Sequence, residues 1–327
     1  MIFTIGMSAA SLAQENAKAA ERPRFAIALH GGAGRSPDKM DPEEVKAVEA
    51  ALGKVLEAGV DVLSKGGTSL DAVEKVIRLM EDEPLFNAGR GAVFNSAGGH
   101  ELDASIMDGR TKACGAVSAV KTVRHPISLS RLVMEKTRHV LLTSDGAEKF
   151  ADEMQVERVK NDWFDTPKQR AAWEKAKATE QSKQSAVGGE DRYLGTVGCV
   201  TLDAHGNLAA GTSTGGITNK KYGRVGDSPI IDAGTYADNA TCAVSCTGIG
   251  EQFIRNSVAY DLSARLAYLK QPLKDAVSEV LSKRLNTGDG GIIALGADGT
   301  IVMDFNTTGM SRASADSSGL REVKIGR

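Results

Sequence analysis

The feature that most constrains the fold is an abrupt change of character at Gly195. Residues 155–192 are rich in lysine, glutamate, glutamine and aspartate, with weak apolar periodicity, which indicates a solvated helix and a flexible linker. Residues 196–202 are instead β-branched and apolar, residues 203–207 have turn composition, and residues 208–214 form a second apolar run. The sequence therefore predicts a flexible segment that leads directly into a β-hairpin, whose first residue is a threonine.

Elsewhere the pattern groups strands with strands and helices with helices. It predicts strands at residues 24–29, 101–107, 113–121, 139–143, 242–246, 291–295 and 301–305, and helices at about 42–65, 68–80, 127–137, 145–154, 250–269 and 272–284. The glycine-rich sequence at residues 30–34 is expected to form a turn after the first strand. Regular strand–helix–strand alternation is absent, so we expect an α/β (α+β) sandwich of largely antiparallel sheets with helices outside.

The composition excludes two classes of partner. The chain has 327 residues and 41% hydrophobic content, which suits one large domain or two small ones. Its net charge of -2 gives no basic field for nucleic acid or an anionic membrane, and no run approaches the ~18 apolar residues of a membrane span. The cysteines at 114, 199, 242 and 246 lack metal-ligand spacing and are interpreted as buried free thiols.

The N-terminal residues leave the compartment open. Residues 1–13 are apolar or small, and Ser11-Leu12-Ala13 resembles a signal-peptidase site, but no lysine or arginine precedes the apolar run. We expect a periplasmic or secreted protein if this run is the remnant of a signal peptide, and a cytoplasmic protein otherwise.

Thr196 becomes a candidate nucleophile if the chain is cut between Gly195 and Thr196. The new α-amine would have a pKa near ~8, so one residue could supply both the hydroxyl nucleophile and its base. Glycine at 195 would allow a strained carbonyl geometry at the bond to be cut. On these residues alone, a threonine that merely begins a strand is the favoured interpretation.

Blocks along nearly the whole chain resemble the plant-type (type III) L-asparaginase and isoaspartyl peptidase family of N-terminal-nucleophile (Ntn) hydrolases. The blocks, between Phe25 and Ala313, are HGGAG at 30–34, PLFNAG at 84–89, ELDA at 101–104, GTVG at 195–198, TSTGG at 212–216, GRVGDSP at 223–229, SCTG at 245–248 and FNT at 305–307. Each block is weak alone, but together, in this order, they are specific. The resemblance implies a four-layer αββα Ntn-hydrolase fold with self-cleavage before Thr196.

The resemblance also assigns roles to residues outside the cleavage site. Thr214 would hydrogen-bond near the nucleophile, while Thr247 and Gly248 would form the oxyanion hole and contact substrate. Arg224 and Asp227 would hold the α-carboxylate and α-ammonium of the substrate, to which a guanidinium and a carboxylate are suited.

A supporting loop follows the second predicted helix. Asn87 would brace this loop beside the active site. By position alone, the resemblance implies a structural sodium ion bound by backbone carbonyls, those of Met80, Glu81, Glu83, Phe86, Ala88 and Arg90. A rigid loop without a metal is the alternative. No cofactor is expected for catalysis.

The predicted organisation is a leader or partial signal peptide at 1–23, an α-subunit at 24–195 with a flexible linker at 155–194, and a β-subunit at 196–327. Two such pairs are expected to form an (αβ)2 assembly. The predicted activity is hydrolysis of β-aspartyl dipeptides and L-asparagine, with a glycosylasparaginase-like amidase, or a fold-sharing protein that never matures, as alternatives. Ile249 departs from the polar residues that relatives often carry there, which bears on substrate preference.

Overall fold

The computed structural model describes residues 23–34, 36–181 and 195–327. Its strands are β1 (Ala26–Gly34), β2 (Leu102–Asp108), β3 (Cys114–Val120), β4 (Leu141–Thr143), β5 (Val197–Leu202), β6 (Leu208–Thr214), β7 (Thr235–Ala237), β8 (Cys242–Gly248), β9 (Gly290–Gly296), β10 (Ile301–Phe305), β11 (Gly309–Asp316) and β12 (Arg321–Lys324). Its α-helices are α1 (Pro42–Ser64), α2 (Ser69–Glu81), α3 (Pro126–Lys136), α4 (Ser144–Glu153), α5 (Pro167–Gln181), α6 (Gly250–Asn256), α7 (Val258–Leu269) and α8 (Leu273–Lys283).

The first two helices begin close to their predicted starts, each with a side chain that caps it. The Asp41 side chain accepts a hydrogen bond from the Glu43 N–H, with Pro42 in the first turn of α1. The Thr68 hydroxyl likewise accepts from the Asp71 N–H at the start of α2. These bonds satisfy donors that have no partner within a helix, which explains why both helices start where they do.

Two sheets form the centre of the molecule. One has eight strands in the order β12-β11-β1-β5-β6-β2-β3-β4, and the other has four in the order β10-β9-β8-β7. Neighbouring strands run antiparallel, apart from the parallel pair β3–β4. The predicted hairpin is β5–β6, which lies in the middle of the larger sheet.

Two apolar cores separate the layers. Side chains of α1, α2 and α3 pack on one face of the larger sheet, around Ile27, Leu29 and Val197. Ala28 and Val200, on its other face, pack in the second core with the smaller sheet and with α6, α7 and α8. The layer order is therefore helix, sheet, sheet, helix, which confirms the expected αββα sandwich.

The structure differs from the sequence-based expectation in several places. The glycine-rich residues 30–34 belong to β1, with a bulge between His30 and Gly32, and do not form a separate turn. The helix expected at 250–269 is broken at Ser257, whose φ of 45° is left-handed. The last two strands were not predicted.

The segment expected to contain a solvated helix and a flexible linker forms the helix α5 and has further folded structure before it. Val123 and Arg158 form a strand bridge, Asn161–Phe164 is a short 3-10 helix, and Phe164 is fully buried. Residues 182–194 and the predicted leader lie outside the described residues, except for residue 23. Within the described ranges, no helix has the length and apolar character needed to cross a membrane.

Candidate active site

The hydroxyl of Thr196 lies at the centre of a buried polar cluster. Thr196 directly precedes β5, and the register that pairs Val197 with Ser213 brings it beside Thr214, the last residue of β6. Thr196 Oγ donates to Thr214 Oγ at 3.1 Å, and both residues are buried. The structure therefore brings together the predicted nucleophile and its predicted neighbour.

Thr214 in turn contacts the bond that the prediction says is cut. Its hydroxyl donates to the carbonyl of Gly195 at 3.3 Å and accepts from the Gly216 N–H at 3.0 Å. Since each hydroxyl has one proton, the hydrogen bonds run in one direction, from Thr196 to Thr214 and on to the Gly195 carbonyl.

Asn87 supplies a second donor to the same carbonyl. Its Nδ2 donates to the carbonyl oxygens of Gly195 at 2.7 Å and Gly216 at 2.8 Å, while its Oδ1 accepts from the Val93 N–H at 3.0 Å. The amide is buried, and these three bonds fix its orientation. The Gly195 carbonyl thus has two donors positioned to stabilise negative charge on its oxygen.

His30 holds Thr196 from its carbonyl side. The ring lies with Nδ1 2.9 Å from the Thr196 carbonyl oxygen and Nε2 3.1 Å from Ser245 Oγ. Burial lowers the pKa of His30 to about 4, so the ring is neutral near pH 7. Because a carbonyl can only accept, Nδ1 carries the proton and Nε2 accepts from the Ser245 hydroxyl.

Sequence reasoning missed this role and interpreted residues 30–34, which include His30, as a turn. Gly198 makes the contact possible, since a Cβ atom there would lie 2.0 Å from Ser245 Oγ and 2.3 Å from His30 Nε2. A histidine followed by glycines, in a chain with five histidines, was the available signal. It does not identify the partner, because Ser245 is 215 residues away in sequence.

Ser245 begins a chain of buried hydroxyl groups between the two sheets. The successive Oγ–Oγ distances are 2.7 Å from Ser245 to Thr212, 2.6 Å from Thr212 to Thr235 and 2.8 Å from Thr235 to Ser105. Ser105 also lies 2.6 Å from the carbonyl oxygen of Ser228. The chain, defined here as the hydroxyl chain, joins His30 to the loop that contains Asp227.

Thr247 and Gly248 are the last two residues of β8. Thr247 is buried, and its Oγ accepts from the Ala33 N–H at 3.2 Å, so its proton can still be donated. A Cβ atom at Gly248 would lie 2.1 Å from the Asp289 carbonyl oxygen, so glycine is required there. The structure places the predicted oxyanion pair at the glycine-rich end of β1.

Arg224 and Asp227 lie together against the turn that follows β8. A Cβ atom at Gly250 would lie 2.8 Å from Asp227 Oδ1 and 2.9 Å from an Arg224 Nη atom. Burial raises the pKa of Asp227 to about 7, and its Oδ2 has no hydrogen-bond partner among the described residues. A buried carboxylate oxygen without a donor is suited to an incoming ammonium group.

Arg224 is bound by Glu251, which sequence reasoning had considered only as part of a helix start. Arg224 Nε and Nη2 donate to the two carboxylate oxygens of Glu251, both at 2.9 Å. The buried Lys220 lies nearby, with Nζ 3.2 Å from the Cβ position of Gly216 and 3.8 Å from Asp103 Oδ2. Two cationic side chains, each beside a carboxyl group, therefore lie near Gly216, two residues after Thr214.

The loop that follows α2 carries the positions of the predicted sodium ligands. The Glu81 carbonyl accepts from the Arg90 N–H at 2.7 Å. The Phe86 and Pro84 carbonyl oxygens would lie 2.6 and 2.7 Å from a Cβ atom at Gly91, so these oxygens converge there. Met80 and Glu83 accept from backbone N–H groups as well, those of Glu83 and Phe86. The described ranges contain no group of three or more His, Cys, Asp or Glu side chains able to hold a metal ion.

A family model and several known proteins match most of this chain, and all of them point to the same family. The family model described as Asparaginase matches residues 23–325. An isoaspartyl peptidase of Salmonella typhimurium is 46% identical over 88% of this chain and 94% of its own length. An isoaspartyl peptidase of Escherichia coli is 47% identical over 88% of this chain and 91% of its own length. The probable isoaspartyl peptidase/L-asparaginase 2 of Arabidopsis thaliana is 42% identical over 92% of this chain and 98% of its own length.

Proposed function

The chain belongs to the asparaginase family, and we propose that it is a self-cleaving isoaspartyl dipeptidase with L-asparaginase activity. The observation that carries the proposal is the pairing of the Thr196 hydroxyl with Thr214, beside a Gly195 carbonyl that accepts from two donors. This geometry supports the roles of Thr196 as nucleophile and of the Gly195 carbonyl as oxyanion site at the bond between these residues.

Maturation would begin with attack of Thr196 Oγ on the Gly195 carbonyl carbon. The hydroxyl proton passes toward Thr214, and the oxygen that gains negative charge accepts from Asn87 and Thr214. The C–N bond then breaks and its nitrogen takes the proton that Thr196 Oγ released, which leaves an ester between Gly195 and Thr196. Water hydrolyses the ester and releases the Gly195 carboxylate and the free α-amine of Thr196.

The mature enzyme would use Thr196 a second time. Its α-amine removes the hydroxyl proton while Oγ attacks the side-chain carbonyl carbon of the substrate. The leaving nitrogen takes a proton and departs as ammonia from asparagine, or as an amino acid from a β-aspartyl dipeptide. Water then hydrolyses the acyl-enzyme to aspartate. Thr247 Oγ and Gly248 N–H would stabilise the negative oxygen of each tetrahedral intermediate.

Recognition of the substrate would depend on its α-groups, which asparagine and β-aspartyl dipeptides share. Arg224 would bind the α-carboxylate and Asp227 the α-ammonium. The unpartnered Asp227 Oδ2 supports this division of roles, because an ammonium would supply its missing donor.

Intact mass and N-terminal sequencing of the purified protein test the proposal. We expect two fragments, with the second starting at Thr196, and an uncut Thr196→Ala variant. The mature enzyme should release aspartate from β-aspartyl dipeptides and asparagine, and glycosylated asparagine tests the amidase alternative. A wild-type chain that remains uncut after long incubation would contradict the proposed function.

We also propose that the loop after α2 binds a structural sodium ion. Carbonyl oxygens are hard ligands of the kind that such cations prefer, and the loop already brings two of them toward Gly91. The ion would stabilise the loop that holds Asn87. Replacing sodium by choline at equal ionic strength should lower the melting temperature, and an unchanged melting temperature would contradict the site.

For the assembly, we propose that two cleaved chains associate as an (αβ)2 unit. The family membership supports this proposal. Light scattering during size-exclusion chromatography should give a mass of twice the chain, and a mass of one chain would contradict it.

A further inference from the structure

We propose that Glu251 is a positioning residue, which holds one edge of the Arg224 guanidinium so that the other edge can bind the substrate's α-carboxylate. The inference rests on the proposed function and deepens it. It assigns substrate selectivity to an ion pair in which only Arg224 touches the substrate.

The hydrogen bonds show which edge of the guanidinium is in use. Glu251 accepts from Nε and Nη2, both at 2.9 Å, which is a bidentate contact along the side of the guanidinium. A guanidinium has five N–H groups in a fixed plane, and one on Nη1 and one on Nη2 point along its end. The end edge can therefore form a second bidentate contact with a carboxylate.

Glycines surround the guanidinium. A Cβ atom at Gly226 would lie 2.8 Å from Nη1, one at Gly250 would lie 2.9 Å from Nη2, and one at Gly216 would lie 3.5 Å from Nη1. Side chains at 226 and 250 would therefore collide with the guanidinium. Because all three positions lack side chains, no Cβ atom there covers the guanidinium.

The end edge includes Nη1, which lies near Gly216 beside the reaction centre. Gly216, which approaches Nη1, donates its N–H to Thr214 Oγ, and that oxygen accepts the Thr196 hydroxyl. A carboxylate bound to Nη1 would thus lie a short distance from the nucleophile. The α-carboxylate and the side-chain amide of asparagine are also separated by a short distance, so one molecule could reach both.

Glu251 is suited to remain in place while substrate exchanges. It lies in the first turn of α6, where a carboxylate is favoured by the helix dipole. Its hydrogen bond to Arg224 lowers the pKa of its carboxyl, so it stays ionised. A substrate carboxylate that displaced Glu251 would exchange one ion pair for another, whereas binding at the end edge adds a second.

Kinetics of the mature Glu251→Ala variant test the proposal. We expect KM for asparagine to rise by up to about tenfold with kcat unchanged, because Arg224 must then be ordered by the substrate itself. The self-cleavage rate should stay at the wild-type value, since no α-carboxylate takes part. For 3-aminopropanamide, which lacks the carboxylate, the variant and the wild type should have equal kcat/KM.

A matched control is Glu43→Ala, which removes another first-turn glutamate that pairs with a cation, Lys46, at 2.9 Å. This variant should leave KM unchanged. If Glu251→Ala does not fold, Glu251→Gln should, since it keeps the shape of the side chain. It should also raise KM, because an amide cannot accept from both Nε and Nη2.

Three results would overturn the inference. A lower KM in Glu251→Ala would mean that Glu251 competes with the substrate. An unchanged KM would mean that Arg224 needs no support, and an equal rise in KM for 3-aminopropanamide would mean a general disturbance. These results leave normal self-cleavage intact, so they differ from failure of the proposed function, in which the wild type itself stays uncut.

Discussion

Replacing Asn87 by alanine should slow maturation without preventing folding. The Asn87 amide makes the shorter of the two hydrogen bonds to the Gly195 carbonyl, 2.7 Å against 3.3 Å from Thr214. When Thr196 attacks this carbonyl, its oxygen becomes an anion and both bonds strengthen. Alanine removes the stronger donor and leaves Thr214 alone.

The magnitude follows from the loss of one donor at a developing oxyanion. Such a loss slows a reaction by roughly 10²–10³-fold, or ~2.7–4 kcal/mol. The variant also leaves the Gly216 carbonyl and the Val93 N–H without this partner, at a cost to stability of about 1–3 kcal/mol for each buried group left unpaired. The rate and the stability must therefore be measured separately.

Asn306→Ala is a matched control, because Asn306 makes the same three kinds of hydrogen bond. Its Nδ2 donates to the carbonyls of Leu281 at 3.0 Å and Asn286 at 2.9 Å, and its Oδ1 accepts from the Gly290 N–H at 3.0 Å. It does not contact Gly195. Both variants should lose stability, but only Asn87→Ala should lose the cleavage rate.

The assay follows freshly translated precursor on denaturing gels, with fragment masses checked by mass spectrometry and melting temperatures by calorimetry. If Asn87→Ala cleaves as fast as Asn306→Ala, the amide does not stabilise the transition state of cleavage. The assignment of the Gly195 carbonyl as the oxyanion site would then be refuted.

Three further predictions concern groups that are buried around the site. Thr235→Val should slow self-cleavage about tenfold by interrupting the hydroxyl chain, while Thr235→Ser and the control Thr201→Val, another buried hydroxyl, should cleave normally. The Ki of L-aspartate should rise as pH falls below about 7, where Asp227 becomes protonated and cannot pair with an ammonium, and Asp227→Asn should remove this dependence. Burial raises the pKa of Glu81 from 4.5 to about 8, so the folded chain binds its proton more tightly than the unfolded chain. Stability should therefore fall as pH rises from about 4.5 to 8, and the melting temperature of Glu81→Gln should fall less over that range.

The apolar pattern of the sequence predicted helices and strands whose two faces differ in polarity, and strands that consist of a continuous apolar run. The β5–β6 hairpin was predicted at its observed position, because Val197 and Leu202 bound a continuous apolar run that a turn follows. The strand β11 was missed because its sequence, GMSRASAD, consists largely of small residues with no clear apolar period. Its extended conformation is set by pairing with β1 and β12 on its two sides, which a local pattern does not encode.

The residues of the candidate site likewise divide into those that the sequence predicted and those that it did not. Thr196, Thr214 and Asn87 could be proposed from motifs that resemble a family. His30 was misinterpreted because its glycine-rich surroundings favour a turn, yet pairing with β5 and β11 keeps the segment extended. The Glu251 contact joins residues 27 positions apart, Arg224 in a loop and Glu251 in the first turn of α6, and nothing in their local sequences indicates that the carboxylate and the guanidinium meet.

The contacts of Thr196 fall into two groups that respond differently to cleavage. Bonds to the Gly195 carbonyl, from Asn87 and Thr214, depend on a peptide bond that is broken. Bonds to Thr196 itself, from its hydroxyl to Thr214 and from His30 to its carbonyl, do not involve that peptide bond. The nucleophile is therefore held by its own atoms, so that it can act in maturation and again in catalysis without being repositioned, while only its amine changes from an amide to a base.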